Sequence, residues 1–252
     1  MSRKRPATET HLFAGTSGWA YPTWKPNFYP VGTSAKKFLS FYASQLNSVE
    51  VNYTFRTLPS AAMLAGWLDQ TPANFRFSFK APQRITHFSR LRDCAQHVAD
   101  LLACLAPVAE AGKLGLILFQ LPPNFKADLE RLREFLAIPA LNPPATPPIA
   151  FEFRHESWFT PETAAILTEH NAALCIAESD DLRTPEIHTA ATHTCFRLRR
   201  TGGYGPSQIA AFAERFSILA QTRDVYAYFK HEDEPTGALN AVAFLKAAKG
   251  AK

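Results

Sequence analysis

Short apolar runs recur along the chain, some continuous and some alternating with polar residues. Between them lie stretches in which apolar positions repeat every three or four residues. The first pattern predicts strands and the second amphipathic helices. Strands are predicted at Leu12–Gly15, Val49–Asn52, Arg76–Lys80, Gly115–Gln120, Ile149–Phe153, Ala173–Ala177, Cys195–Leu198 and Val225–Phe229. A helix over Ala35–Leu46 puts Phe38, Leu39, Tyr42 and Leu46 on one face. Ser60 caps a second over Ala61–Gln70, with Met63, Leu64, Trp67 and Leu68 inward. Others are predicted at Asp93–Glu110, Leu129–Leu136, after Thr160 with Pro161 at the first position, at Ile209–Ala220 and at Leu239–Ala248. The alternation fails once. Asp180–Thr194 shows no helical period and contains Pro185, so it is a long loop with room for one short helical turn. The proline-rich Asn142–Pro148 is a connector before the fifth strand.

Eight strands alternating with helices predict an α/β fold, a TIM-like (β/α)8 barrel in which an irregular segment replaces the helix between strands six and seven. The rival is a doubly wound open sheet, which usually carries a glycine-rich phosphate turn after the first strand. Gly15, Thr16, Ser17, Gly18 and Trp19 do not have that spacing. A single barrel domain is expected over 11–248, preceded by a flexible basic tail over 1–10.

Composition changes this picture little. The chain has 252 residues, 46% of them hydrophobic, and a mean hydropathy of −0.15, values that support a sizeable core. The apolar runs are strand-sized, so no membrane span is predicted. The basic MSRKRPATET start has no apolar segment behind it and does not form a secretory signal, so the expected compartment is the cytoplasm. A pI near 9.1 suggests nucleic acid at first. The excess charge, however, sits on Arg3, Lys4 and Arg5 and on Lys246, Lys249 and Lys252, in expected frayed tails. Weak tail contact with nucleic acid is all that this predicts. Cys94 and Cys104 share a helix about 15 Å apart, while Cys175 and Cys195 lie in separate strands and can come close. With no CxxC and no zinc spacing, all four are expected as buried thiols.

Chemistry concentrates where strands end. Glu50 and Asn52, Lys80, Gln120, Glu152 and Arg154, Glu178, Arg197 and Arg199, and Tyr228, Lys230 and His231 would ring the C-terminal barrel face, where barrel active sites lie. Within the pairs Glu50/Asn52, Glu152/Arg154 and Arg197/Arg199 the parity is shared, so each pair can face the mouth together. A polar ring of this size exceeds what packing needs, although any one member can serve only as a buried ion pair.

Several segments resemble the YecE-like family, domain of unknown function 72. They are GTSGWAYPTWKPNFYP (Gly15–Pro30), SVEVNYTFRTLP (Ser48–Pro59), FRFSFKAPQRITH (Phe75–His87), LGLILFQLPPNF (Leu114–Phe125), FEFRHESWF (Phe151–Phe159) and DVYAYF…NA (Asp224–Ala241). The resemblance implies a TIM-barrel-like fold and brings no reaction with it. It draws His87 into the candidate site, and Trp19, Tyr21, Trp24 and Tyr29 as pocket walls or packing. The chain departs from the family pattern in two places. Arg199 stands where a His is usual, and Lys230 and His231 replace two amides.

Known chemistries fit the ring unequally. Retaining glycosidases need two carboxylates about 5 Å apart, and Glu50 with Glu152 would be an unusual pair. A metal held by Glu152, Glu178, Asp180 and His231 would meet crowding cations, so no metal and no cofactor is predicted. Lys80 as a Schiff-base nucleophile needs a depressed pKa. The best fit is a metal-independent hydrolase, lyase or isomerase acting on a small anionic or polyhydroxy ligand. Glu50, Glu152, Lys80 and His87 are its catalytic candidates. Trp19, Tyr21, Asn52, Gln120, Arg154, Trp158, Arg197 and Arg199 are its binding candidates. The alternative is a non-catalytic module binding a nucleotide, sugar phosphate or nucleic acid end.

Overall fold

The computed structural model describes residues 11–142, 147–180, 182–230 and 234–250. Strands β1 Leu12–Thr16, β2 Ser48–Val51, β3 Arg76–Lys80, β4 Leu114–Gln120, β5 Ile149–Glu152, β6 Ala173–Glu178, β7 His193–Leu198 and β8 Asp224–Phe229 stand where the apolar runs predict them. They form one parallel sheet in the order β1-β8-β7-β6-β5-β4-β3-β2, which curls into a TIM-like barrel. Its outer layer is α1 Phe38–Gln45, α2 Ala61–Asp69, α3 Ala95–Glu110, α4 Leu129–Leu136, α5 Pro161–Glu169, α6 Pro206–Leu219 and α7 Thr236–Gly250. Ser60, Asp128 and Thr160 start α2, α4 and α5 by accepting a backbone N–H three residues on.

Alternation along the strands sorts two cores. Phe13, Leu116, Leu118, Cys175, Cys195 and Tyr226 fill the lumen. The intervening residues face the helices: Phe119 meets Phe135 of α4, Phe196 stacks on Phe216 of α6 at 3.9 Å, and Phe229 meets Phe244 of α7. Between β6 and β7 no helix forms among the described residues. There Thr189 replaces it locally, its hydroxyl accepting from Leu174 N (2.8 Å) and donating to Ala172 O (2.6 Å). The Cys175↔Cys195 register sets their free thiols 3.3 Å apart.

β1 and β2 meet through a single bridge, Ser17↔Glu50, and otherwise share no ladder. Side chains do the ladder's work at this seam. Asn47 accepts from Ala14 N (2.9 Å) and donates to Leu12 O (2.8 Å). The fully buried Tyr42 hydroxyl accepts from Thr16 N (2.8 Å) and donates to Ser48 O (3.0 Å). Gly15 makes the close approach possible, since a Cβ there would lie 1.8 Å from Ser48 O.

Two expectations change. α7 runs to Gly250, so Lys246 and Lys249 sit on an ordered helix, not in a frayed tail. β2 ends at Val51 and Asn52 turns helical (φ −88°, ψ −11°), so strand parity does not pair Asn52 with Glu50. The basic residues of 1–10, Lys252, His231 and part of the Asn142–Pro148 connector lie outside the described residues. No helix among the described residues is long and apolar enough to cross a membrane.

The seam generates a stability prediction. Asn47→Ala leaves a strand N–H and a strand C=O without partners and should cost about 1–3 kcal/mol. It should appear as a lower urea midpoint at an unchanged slope. An unaltered midpoint would mean that Asn47 does not close the barrel.

Candidate functional site

At the C-terminal end of the lumen, one guanidinium joins two carboxylates from different strands. Arg197 of β7 donates from Nη2 to Glu50 Oε1 of β2 at 2.7 Å, and from Nη1 to Glu152 Oε2 of β5. Ser17, just past β1, donates to the same Glu50 oxygen at 2.7 Å. Gln120 at the end of β4 donates to Glu152 Oε2 at 2.9 Å, and Arg154 Nε donates to Glu152 Oε1. Glu50, Glu152 and Arg197 are at most 2% exposed. Burial pushes the Glu152 pKa up, but Arg197, Arg154, Arg199 and the Gln120 hydrogen bond outweigh it and hold the group at about 2. Burial likewise opposes the Arg197 charge, and Glu152 and Glu50 more than restore it.

This geometry revises several expected roles. With its pKa held at about 2, Glu152 is ionised near neutral pH. Both terminal nitrogens of Arg197 are taken up by the two carboxylates, and Gln120 donates to Glu152. The Arg197 guanidinium joins Glu50 and Glu152 directly, an arrangement that serves an ion bridge and not the facing carboxylates of a glycosidase. Trp158 is 1% exposed, stacks on Phe153 at 4.5 Å and donates its indole N–H to Phe125 O. It is a packing residue and walls no pocket. Trp24 and Tyr29 are also fully buried. Trp19 and Tyr21 remain half-buried: Trp19 stands edge-on to Trp67, and the Tyr21 hydroxyl donates to Ser17 O.

Above the network lie cations of a different kind. The side-chain amine of Lys80, the last residue of β3, makes no hydrogen bond or ion pair among the described residues, and its Nζ sits 4.0 Å from the Phe55 ring centre. Burial lowers its pKa and Arg197 lowers it further, while Glu50 and Glu152 pull it back, leaving it at about 8. The Arg199 guanidinium, just past β7, also makes no hydrogen bond or ion pair among the described residues. Burial and Arg197 both press its pKa down. His87 lies on the turn Arg84–Phe88 and meets Phe55 edge-on at 4.9 Å. Its Nδ1 pairs with Thr86, and burial, Lys80 and Arg90 lower its pKa, so the ring is neutral at physiological pH. Beyond it, Arg90, Leu91 and Asp93 take φ of 49°, 70° and 51°. Such left-handed conformations are costly for these residues and collect at ligand-binding segments.

Three buried polar atoms in this region have no partner among the described residues: Glu50 Oε2, Arg197 Nε and Asn52 Oδ1. No group of three His, Cys, Asp or Glu side chains among the described residues is placed to hold a metal. Sequence reasoning missed Ser17 and Phe55. Ser17 was hidden in an apparent glycine turn, although its place just past β1 was a signal. Phe55 carries no polar group to draw notice.

A parallel (β/α)8 barrel whose ionisable side chains converge at the strand C-termini belongs to the TIM-barrel class of proteins. The family model described as "Protein of unknown function DUF72" matches residues 13–252, and the chain belongs to that family. It is 30% identical over 154 residues to the UPF0759 protein YunF of Bacillus subtilis (strain 168), covering 60% of this chain and 53% of YunF. It is 33% identical over 126 residues to the UPF0759 protein YecE of Escherichia coli (strain K12), covering 50% of this chain and 43% of YecE. The chain thus spans about half the length of these curated relatives. A DUF72 family protein from Thermotoga maritima MSB8 superposes with a TM-score of 0.79 at 26% identity, over 94% of this chain and 99% of that one.

The buried network sets an acid limit to stability. The folded-state pKa of Glu152 lies below its ordinary 4.5, so the unfolded chain binds the proton more tightly. The stabilisation is complete above about pH 4.5 and is lost as pH falls towards about 2, a change on the order of 3 kcal/mol. Urea unfolding across that window should show a flatter pH dependence in Glu152→Gln than in the parent. Equal slopes would remove Glu152 as the acid-sensitive group.

Proposed function

We propose that the barrel mouth is the active site of a metal-independent enzyme that performs acid/base chemistry on a small anionic or polyhydroxy substrate. The observation that carries this reading is the charge imbalance. Lys80, Arg154, Arg197 and Arg199 face Glu50 and Glu152, and among the described residues Lys80 and Arg199 have no acidic ion-pair partner. Partly desolvated cations without counter-charges are costly unless an anion completes the site. A phosphate or carboxylate between Arg199 and the terminal nitrogens of Arg154 would do so with forked hydrogen bonds. Glu50 Oε2 and Asn52 Oδ1 would accept from ligand hydroxyls. Lys80, rather than Glu152, has a pKa suited to moving protons near neutrality, with neutral His87 as its neighbour. Trp19 and Tyr21 would flank the entrance. We further propose a cytoplasmic location, a reading that the free Cys175 and Cys195 thiols support.

Thermal-shift and calorimetric titrations with inorganic phosphate, small carboxylates and sugar phosphates test the reading. At least one such anion should bind. Arg199→Ala should weaken it tenfold or more, about 1.4 kcal/mol, while leaving the urea midpoint nearly unchanged. Binding unaffected by Arg199→Ala and by Lys80→Met would sink the proposal.

A further inference from the structure

We infer that Lys80 is a nucleophile that forms an imine with the carbonyl carbon of a small aldehyde or ketone carrying a carboxylate or phosphate. The inference rests on the reading of the mouth as a catalytic site and names the substrate class for it. Strand alternation places Lys80 on the lumen side with Ser78, whose hydroxyl bonds the lumen residue Tyr228 at 2.6 Å. The β3 end is held in place by Thr54, which donates to Lys80 O at 2.6 Å. Both nearby carboxylates are bound to Arg197, so neither forms an ion pair with the amine. The nitrogen lies over the Phe55 ring face, 4.0 Å from its centre. The depressed pKa makes the free amine available near neutral pH.

The reaction balances within the site. The neutral amine attacks the carbonyl carbon, a C–N bond forms, and the carbonyl π pair moves to oxygen. Proton transfer from nitrogen to oxygen gives a carbinolamine. A proton from solvent, matching the one the ammonium released to become the free amine, joins the hydroxyl; the C–O bond then breaks, water leaves, and the nitrogen lone pair forms a protonated C=N. Overall, an ammonium and a carbonyl become an iminium and water. One cation replaces another, so the charge around Glu50, Glu152 and Arg197 is unchanged. Arg199 and Arg154 would hold the anionic end of the substrate. An iminium withdraws electrons from the adjacent carbon, which suits a lyase or an isomerase.

Reductive trapping tests this. The full chain is incubated with pyruvate or dihydroxyacetone phosphate and sodium cyanoborohydride, then digested and mapped by mass spectrometry. Hydride adds to the imine carbon and fixes a secondary amine, so the label is the carbonyl compound less its oxygen. Lys80 should be labelled at least ten times faster than any other lysine by one of these probes. Its labelling should be half-maximal near pH 8, where an ordinary lysine needs a pH near 10.5. Arg199→Ala should slow labelling by the anionic probes and not by acetone. Labelling spread evenly over the lysines would overturn the inference. If inorganic phosphate or a carboxylate still binds through Arg199 in that case, the reading of the site stands and only the imine fails. If no anion binds, the reading of the site fails as well.

Discussion

The bridge from Glu50 through Arg197 to Glu152 fixes the geometry of the barrel mouth. Three charges are buried together, and each carboxylate has a second donor, Ser17 for Glu50 and Gln120 for Glu152. Water is lost by all three groups, and the bonds from both Arg197 terminal nitrogens, Ser17, Gln120 and Arg154 offset that cost, while Glu50 Oε2 and Arg197 Nε keep no partner among the described residues. It ties β2, β5 and β7 across the lumen, and Ser17 adds the end of β1. Its second effect is electrostatic. A guanidinium that occupies both carboxylates denies them to Lys80 and adds a like charge beside it.

The same economy governs the seam between β1 and β2. A closed barrel satisfies every strand edge with a neighbouring strand. Here two edges approach over Gly15, and the hydroxyl of Tyr42 and the amide of Asn47 supply the missing donors and acceptors. Ser17 and Glu50 meet at the top of this seam, in the one backbone bridge between the two strands. Seam closure therefore positions Glu50 for Arg197.

The barrel was legible in the sequence because its strands are continuous apolar runs and its helices keep a strict period. The polar ring was legible because ionisable residues at the ends of buried strands have few other uses. Roles within the ring were not. Parity sets which way a side chain points only while the strand lasts: it stops being valid at Asn52, and Arg154 reaches Glu152 from beyond the end of β5. No spacing rule tells that Arg197 would serve two acids at once, since that depends on residues 147 and 45 positions away. The helical period marks Tyr42 as an apolar position, yet its hydroxyl is what the seam uses. Trp158 is expected among the binding residues, but its indole N–H finds Phe125 O and the ring packs in the core.

Stability and reactivity are coupled through Arg197. Without its charge, the second-largest influence lowering the Lys80 pKa disappears. Glu50 and Glu152 would also lose their partner and turn to the nearest remaining cations, with Lys80 among them. Both effects act in the same direction, towards a protonated, ion-paired lysine. A mouth built on a lysine therefore needs a stronger, permanently charged base beneath it to keep the acids occupied. Arginine suits that position because its guanidinium stays charged when buried and can reach two carboxylates from one plane. The buried ion bridge is thus more than a structural cross-brace. It keeps the two buried carboxylates, Glu50 and Glu152, from pairing with Lys80 at the mouth.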